Sequence, residues 1–454
     1  MRDLSSWTTA RGCPRRRALT RGPTPKDVRP VTPTTQDPTT DVLIIGGGVI
    51  GLASALALTE AGRAVQVIEA GRIGSGSSHG NCGTITPSHA PPLAAPGMVT
   101  RALSMMLTPD APLYIRPRFD PALWRWLWTL RGRCNARDWR ESAIAKAALL
   151  NDSRARLEAW IAQYDLACEF QPVGEDYVFR DARRFDHGQH EIPFLREFGV
   201  DVQVLDGAEY ERDEPAMQSG VAGAIRFQGD AALRPDVYVD ELARVARERG
   251  AVIDEERPFT GLTTARDGYV VHTPRGAIAA REVIVAAGAW SPRLADALGL
   301  SWLAKTIQPG KGYSITYDPP ALAPRRPLVL RERAVCVTAW ASGYRLGSTM
   351  EFSGYDETLD ERRLGALERG AREYLRDPVG PRVRERWFGW RPMSLDDVPL
   401  IGAVPGRRGL WLATGHGMMG VGMSAGTGQL LADLVSGRTT AIDPSPYRPD
   451  RFVR

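Results

Sequence analysis

The chain has 454 residues, 43% of them hydrophobic and 24% charged, enough for a large core and two or three domains. Its net charge of +5 resides in residues 1–40, where eight basic groups outnumber three acids; the remainder holds 50 of each, which argues against a nucleic-acid partner. Five scattered cysteines without a C-x-x-C pair, and six histidines of which only His187 and His190 are close, exclude a disulfide framework and a zinc site and point to a reducing, cytoplasmic setting.

Residues 1–40 are rich in Arg, Pro and Thr, and this composition predicts a disordered tail. They lack the apolar core of a secretory signal, and no apolar run follows Arg15 and Arg16. Residues 41–58 then read as a short apolar strand, a glycine turn and a helix. Gly46, Gly48 and Gly51 stand in G-x-G-x-x-G spacing, with Gly47, Val49 and Ile50 between them. The first glycine permits the tight turn, the second admits a pyrophosphate, and the third lets the helix approach the strand. The helix N-terminus offers free N–H groups to the phosphates. A second strand, 64–68, ends at Glu69, 18 residues past Gly51, where an acid holds ribose hydroxyls. An acid there favours FAD or NAD over NADP. The uncharged run 42–58 also approaches a membrane span in length, but its glycine turn and Asp41 argue against one.

A loop of small residues, 71–84, contains Ser78, Asn81 and Gly83, where backbone can approach a flat ligand closely. Residues 87–96, rich in Pro and Ala, read as an irregular crossing. Residues 121–133 form a helix with Trp124 and Trp128 on one face; a core helix is the favoured reading and a membrane-surface helix the other. An amphipathic helix over 142–163, a strand over 221–227, a helix over 235–250 and strands at 251–253, 268–272 and 282–291 follow. The last of these ends in small residues including Gly288, as a strand end facing a cofactor would. Alternating segments at 305–317, 328–331, 335–338 and 344–349 suggest an antiparallel sheet, and 359–375 a helix. Near the C-terminus a strand at 410–413 meets a second glycine turn, Gly415, His416, Gly417 and Gly420, before another helix.

Taken in order, the glycine motif ending at Glu69, the 77–83 loop, Lys311-Gly-Tyr313-Ser, Gly389-Trp-Arg391-Pro-Met and Thr414-Gly-His416-Gly resemble the D-amino-acid oxidase superfamily of FAD enzymes. They are most similar to its D-amino-acid dehydrogenase branch, whose small subunit the match over 41–452 resembles. The resemblance implies an α/β fold: a Rossmann-type FAD domain with an inserted α+β substrate domain of mixed or antiparallel sheet. The expected FAD segments are 41–92, 216–300 and 386–454, and the expected substrate segments 93–215 and 301–385. By the same resemblance Glu69 meets the adenosine ribose, and Gly46, Gly48 and Gly51 meet the pyrophosphate. The Ser78–Gly83 loop and the Gly415–Gly420 turn border the isoalloxazine, held without a covalent bond. Cys82 departs from the small residue that relatives often carry there.

The implied chemistry is oxidative deamination of a D-amino acid: hydride leaves Cα for flavin N5, and the imino acid hydrolyses to a 2-oxo acid and ammonia. Such an enzyme needs a carboxylate anchor, and arginine's planar fork suits it. Arg391, followed by Pro392, is that candidate, against a structural arginine paired with Asp396 or Asp397. Tyr313 either lines the pocket or sits in a sheet core. His416 either stabilises reduced flavin or marks a turn that acts through backbone alone. Alternatives within the same chemistry are glycine, sarcosine or D-proline-type amines, or a subunit of a larger amine dehydrogenase; a protein whose flavin serves a partner is a third class. Expected partners are the amino acid and an electron acceptor, a quinone or carrier for a dehydrogenase, with peripheral membrane contact through the Trp124–Trp128 helix as one route. Oligomeric state is not readable.

Overall fold

The computed structural model describes residues 40–98, 100, 102 and 110–453, so the expected tail lies, except for Thr40, outside the described residues. Its first sheet is built on parallel strands in the spatial order Val252–Asp254, Val65–Ile68, Thr40–Ile45, Ile278–Val285 and Leu410–Thr414. An antiparallel hairpin, Gly261–Ala265 with Gly268–His272, pairs with the first half of Ile278–Val285, and Leu400–Ala403 edges the other side. Val42 and Ile44 face one core, Leu43 and Ile45 the other. Burial on both faces explains why this strand is apolar throughout rather than alternating. The helix Val49–Glu60 is likewise buried nearly all round, between the sheet and the helices Pro235–Glu248 and Ser424–Val435. That accounts for the uncharged run at 42–58: it is a core strand and a core helix. Among the described residues, no helix is long and apolar enough to cross a membrane.

The second sheet has nine strands, and its path runs Val383–Ser394, Ile307–Tyr317, Gly343–Phe352, Val335–Trp340, Leu328–Leu330, Glu175–Phe179, Gly223–Phe227 and Val202–Asp206. Leu113–Ile115 pairs alongside Gly343–Phe352. The long strand Val383–Ser394 has no clear sequence signal, because Gly389 and Pro392 are strand breakers. It is tolerated here because Pro392 lies opposite Pro309, where neither residue offers an N–H to the ladder.

Two helices differ from expectation. The amphipathic helix begins earlier, at Ala136, because the Asn135 side chain accepts the N–H of Asp138 and caps it. It lies in segment 93–215, yet Leu149, Leu150, Leu157 and Trp160 pack into the core of the parallel sheet's helices. The helix Pro121–Arg133 forms, but the favoured placement of Trp124 and Trp128 in a core is overturned. Leu123 and Trp126 are the buried residues, while Trp124 is 51% exposed and Trp128 71%. The helix is tethered through Trp126, which stacks near Phe352 and donates its indole N–H to the Thr306 carbonyl. That face excludes positions 124 and 128, two residues away on either side.

A buried ion pair crosses the fold. Lys146 Nζ, on Ala136–Tyr164, donates to Asp397 at 2.6 Å, and both side chains are almost wholly buried. Asp397 also accepts the N–H of Leu93 and holds a left-handed backbone at φ +59. Removing one member strands the other charge, whereas replacing both does not. Lys146→Ala is expected to lower stability by about 3–5 kcal/mol in denaturant titrations, and Lys146→Met with Asp397→Asn by clearly less than that. Equal losses in the single and double variants would show that the pair contributes packing rather than charge balance.

Candidate functional site

The site lies where the parallel sheet's glycine turn and the loop 71–84 meet one face of the second sheet. A Cβ on Gly51 would lie 1.9 Å from the Gly46 carbonyl oxygen, and one on Gly46 (φ +119) 2.6 Å from that of Ala286. Glycine at both positions lets helix, turn and neighbouring strand interlock. Gly48 is different: its nearest neighbour would be Ser78 Oγ at 3.6 Å, and its φ of −78 suits any residue. The protein itself therefore leaves this glycine uncrowded. Val49 N–H donates to Ser78 Oγ at 3.1 Å, and the helix's first turn contains no acid, so its dipole stays open to an anion. Gly47 and Ile50 complete the turn; Gly47 N–H donates to Glu69 Oε2 at 2.7 Å. Glu69 Oε1 accepts the N–H of Gly71 at 2.9 Å. Each carboxylate oxygen keeps a second lone pair, as ribose hydroxyls require.

The 77–83 loop is fastened to the second sheet. Arg345, buried in Gly343–Phe352, donates to the carbonyls of His79 (3.0 Å) and Asn81 (2.6 Å) and to Thr316 Oγ1 (2.9 Å). His79 meets Glu385 at 2.8 Å, and this hydrogen bond raises the histidine's pKa. Asn81 Oδ1 accepts the N–H of Gly83, whose carbonyl accepts from Leu233. So fastened, the loop lays Cys82 Sγ over Gly347, where a Cβ would lie 2.4 Å from the sulfur. Cys336 is directly opposite Gly347 in the ladder. The hydrogen bond between the Cys82 and Cys336 thiols lowers the pKa of Cys82, and Arg345 and Arg391 add to that against the cost of burial.

The register places Tyr177, Val329, Cys336, Gly347, Ser314 and Trp387 in one row across six strands. Opposed residues share a face, so this row faces the loop. Gly312 and Arg391 belong to the same face. The Arg391 guanidinium covers Gly312, where a Cβ would lie 2.3 Å from Nη1, and Nη1 donates to the Thr349 carbonyl at 2.5 Å. Burial lowers its pKa. Asp396 is taken by Arg451 and Asp397 by Lys146, so neither expected rival pairs with it. With one carbonyl and, among the described residues, no carboxylate as partner, the guanidinium keeps donors for an anion.

Two proposed catalytic residues stand elsewhere than expected. Tyr313 points to the opposite face, packed in the core with Ile315, Tyr317 and Leu367, and its hydroxyl donates to Glu351 at 2.9 Å. It is a core tyrosine because its position is odd in the two-residue strand period that puts Gly312 on the site face. His416 is buried with Nε2 3.0 Å from Thr427 Oγ1, and burial pushes its pKa down to about 3. It is neutral at pH 7 and carries no positive charge to a reduced flavin. Its turn nevertheless lies against the arginine strand: Gly417 N–H donates to the Pro392 carbonyl, and Gly415 and Gly417 both have positive φ. Gly420 closes that turn over His416, and the Gly288 carbonyl accepts from Thr414, tying the 282–291 segment to it. Sequence reasoning missed Arg345, Lys146, Cys336 and Glu175, each of which reaches the site only through strand register or a distant helix.

Comparison with known proteins shows the family and the fold. The family model described as FAD dependent oxidoreductase (DAO) matches residues 41–434. A protein named D-amino acid dehydrogenase from Granulibacter bethesdensis is 34% identical over 421 residues, covering 91% of this chain and 99% of its own. One of the same name from Rhizorhabdus wittichii is 33% identical, covering 90% and 100%. Among solved structures, a glycine oxidase from Geobacillus kaustophilus superposes with a TM-score of 0.70 at 25% identity, covering 90% of this chain and 98% of its own. An L-proline dehydrogenase from P. horikoshii shares the fold at a TM-score of 0.67 and 20% identity.

The uncrowded Gly48 gives a clean test of the cofactor cradle. Gly48→Ala is expected to keep the apoprotein's thermal midpoint within a few degrees while cutting the flavin-to-protein absorbance ratio at least about tenfold. Full flavin content in the variant would mean that no phosphate approaches this turn.

Proposed function

Because the chain belongs to the DAO family of FAD-dependent oxidoreductases, we propose that it deaminates D-amino acids oxidatively, giving a 2-oxo acid and ammonia. FAD, when bound, supplies the hydride acceptor for the substrate's Cα hydrogen. Gly46–Gly51 and Glu69 would hold its adenosine diphosphate half, and the 77–83 loop and the 415–420 turn would flank its ring. The observation that carries the reading is Arg391. Its guanidinium is desolvated, free of any acid among the described residues, and spread over a glycine on the sheet face that the 77–83 loop covers. An α-carboxylate bound there completes a bidentate, charge-assisted pair and fixes where Cα lies. The names of the relatives over nearly their full length support the D-configuration and the dehydrogenase chemistry.

Anaerobic mixing of the holoenzyme with D- and L-amino acids, followed by flavin absorbance, tests this. Bleaching by D- but not L-enantiomers is expected. Arg391→Lys is expected to lower kcat/KM about 100-fold, because a point ammonium loses the fork's second hydrogen bond and geometry. Equal bleaching by both enantiomers, or an unchanged Arg391→Lys, would sink the assignment.

For the electron acceptor we infer a membrane quinone or a carrier at the membrane surface. Phe119, just ahead of the helix that carries the exposed Trp124 and Trp128, is 96% exposed, and Arg131 stacks on Trp128 at 5.0 Å. Aromatic rings interleaved with arginines are the composition of an interfacial helix. The holoenzyme should cosediment with vesicles containing anionic lipid, and Trp124→Ser with Trp128→Ser should reduce binding about tenfold. Vesicle binding that ignores both the lipid charge and the double substitution would remove this surface from consideration.

A further inference from the structure

Two thiols meet where the 77–83 loop crosses the second sheet. Cys82 comes from the loop and Cys336 from the strand Val335–Trp340. A Cβ on Gly347 would lie 2.4 Å from Cys82 Sγ, so the loop's sulfur occupies the side-chain space that this glycine leaves empty. Gly347 and Cys336 are opposed in the antiparallel ladder, and opposed residues on one face have Cβ atoms about 5 Å apart. Cys82 Sγ therefore stands as the cross-strand neighbour of Cys336, and the two thiols are hydrogen-bonded. A disulfide needs its sulfurs about 2.05 Å apart, which a shift of roughly one to two ångströms supplies. Both thiols are partly exposed, so a small oxidant can reach them. The pair is also electrically unequal. The hydrogen bond from Cys336, with Arg345 and Arg391 nearby, lowers the pKa of Cys82, while the same bond and burial raise that of Cys336 well above a free thiol's. Thiolate character sets susceptibility to oxidation, so Cys82 is the thiol that reacts first and Cys336 the one that resolves it. Burial instead raises the pKa of the Cys134 thiol and pushes that of Cys168 up to about 11.

We propose that Cys82 and Cys336 are a redox modification site that hydrogen peroxide closes into a reversible disulfide, switching the site off by pulling the 77–83 loop against the strand Val335–Trp340. The cross-link stands on the geometry alone; its effect on turnover rests on the deaminase reading above. The chemistry balances. The Cys82 thiolate sulfur attacks one peroxide oxygen, the O–O bond breaks, hydroxide leaves, and Cys82 becomes a sulfenic acid. The Cys336 sulfur then attacks the Cys82 sulfur, the S–S bond forms, the S–O bond breaks, and hydroxide leaves with the Cys336 proton as water. The two thiols together lose two electrons and two protons, and one peroxide is reduced to two waters. The surroundings turn a small shift into loss of function. On one side of Cys82, the Asn81 carbonyl accepts from Arg345 at 2.6 Å; on the other, a Cβ on Gly83 would stand 1.9 Å from the Leu233 carbonyl oxygen. Neither neighbour has slack. Drawing Cys82 toward Cys336 therefore strains the Arg345 contact, and with it the placement of Ser78 Oγ at the Val49 N–H. A dithiol reductant attacks the bond and returns both thiols.

The test treats the holoenzyme with hydrogen peroxide, removes the peroxide, alkylates free thiols and maps a non-reducing digest by mass. A peptide pair joined through Cys82 and Cys336, two hydrogens lighter than its parts and released by dithiothreitol, is expected. Anaerobic flavin reduction by a D-amino acid is expected to slow at least about tenfold as the cross-link forms and to recover with dithiothreitol, since a misplacement of about 1 Å in a site costs up to about 100-fold. Cys336→Ser should form no cross-link and should carry its Cys82 on to the sulfinic acid, which dithiothreitol does not reverse. In the unaltered enzyme, two thiols still free after treatment, a sulfinic acid at Cys82 without a cross-link, or a cross-link that leaves flavin reduction unchanged would each overturn the proposal. This arm decides even if the variant fails to fold. A cross-linked pair in a holoenzyme that no D-amino acid reduces before treatment supports the disulfide and sinks the deaminase reading.

Discussion

The site depends on one buried cation. Arg345 is 1% exposed and stacks over Trp340, and burial lowers its pKa. It is stabilised chiefly by two loop carbonyls and a threonine hydroxyl, with Asp236 and Glu385 acting at a distance. Hydrogen bonds from a charged donor are each worth about 1.5–3 kcal/mol, and leaving such a donor unmet costs more. The loop 77–83 therefore cannot drift from the second sheet without stranding this charge. The His79–Glu385 contact and the hydroxyl of Ser77 on the Trp390 carbonyl repeat the constraint further along. Because the same loop supplies Ser78 to the helix N-terminus, one guanidinium fixes the distance between phosphate cradle and substrate face.

That distance is kept short by subtraction. Gly312, Gly347 and Gly389 remove side chains from the sheet face, and Arg391, Cys82 and Trp387 lie in the space so released. A Cβ at any of the three would collide within 2.4 Å. Glycine weakens a strand interior, so three on one face is a local cost that the flanking apolar cores must offset. The return is a flat floor with one guanidinium standing on it.

Legibility followed sequence distance. Gly46 to Glu69 was readable because turn, helix start and acid all lie within one βαβ unit, where spacing alone implies geometry. The second sheet was readable as segments but not as a surface. Tyr313 and Gly312 differ by one position, and that one position decides between core and site, which only register reveals. The strand Val383–Ser394 was hidden by Gly389 and Pro392, whose breaker chemistry is cancelled by the facing Gly312 and Pro309. Trp124 and Trp128 were misplaced because a shared helical face says nothing about which face is covered; Leu123 and Trp126 took the core. His416 was found as a turn but not as a neutral imidazole, since its protonation follows from burial that no local pattern records.

Arg345, Lys146 and Arg391 are buried cations of two kinds. Arg345 and Lys146 have their partners within the chain, and these partners come from elements far away in sequence, so the groups act as joints. Arg391 bonds a single carbonyl and no carboxylate among the described residues. A fold selected for stability alone would replace such a group with an apolar side chain, because an unmet buried charge costs several kcal/mol. That cost is recovered when an anion meets the guanidinium, on the face where Gly312 leaves room for it.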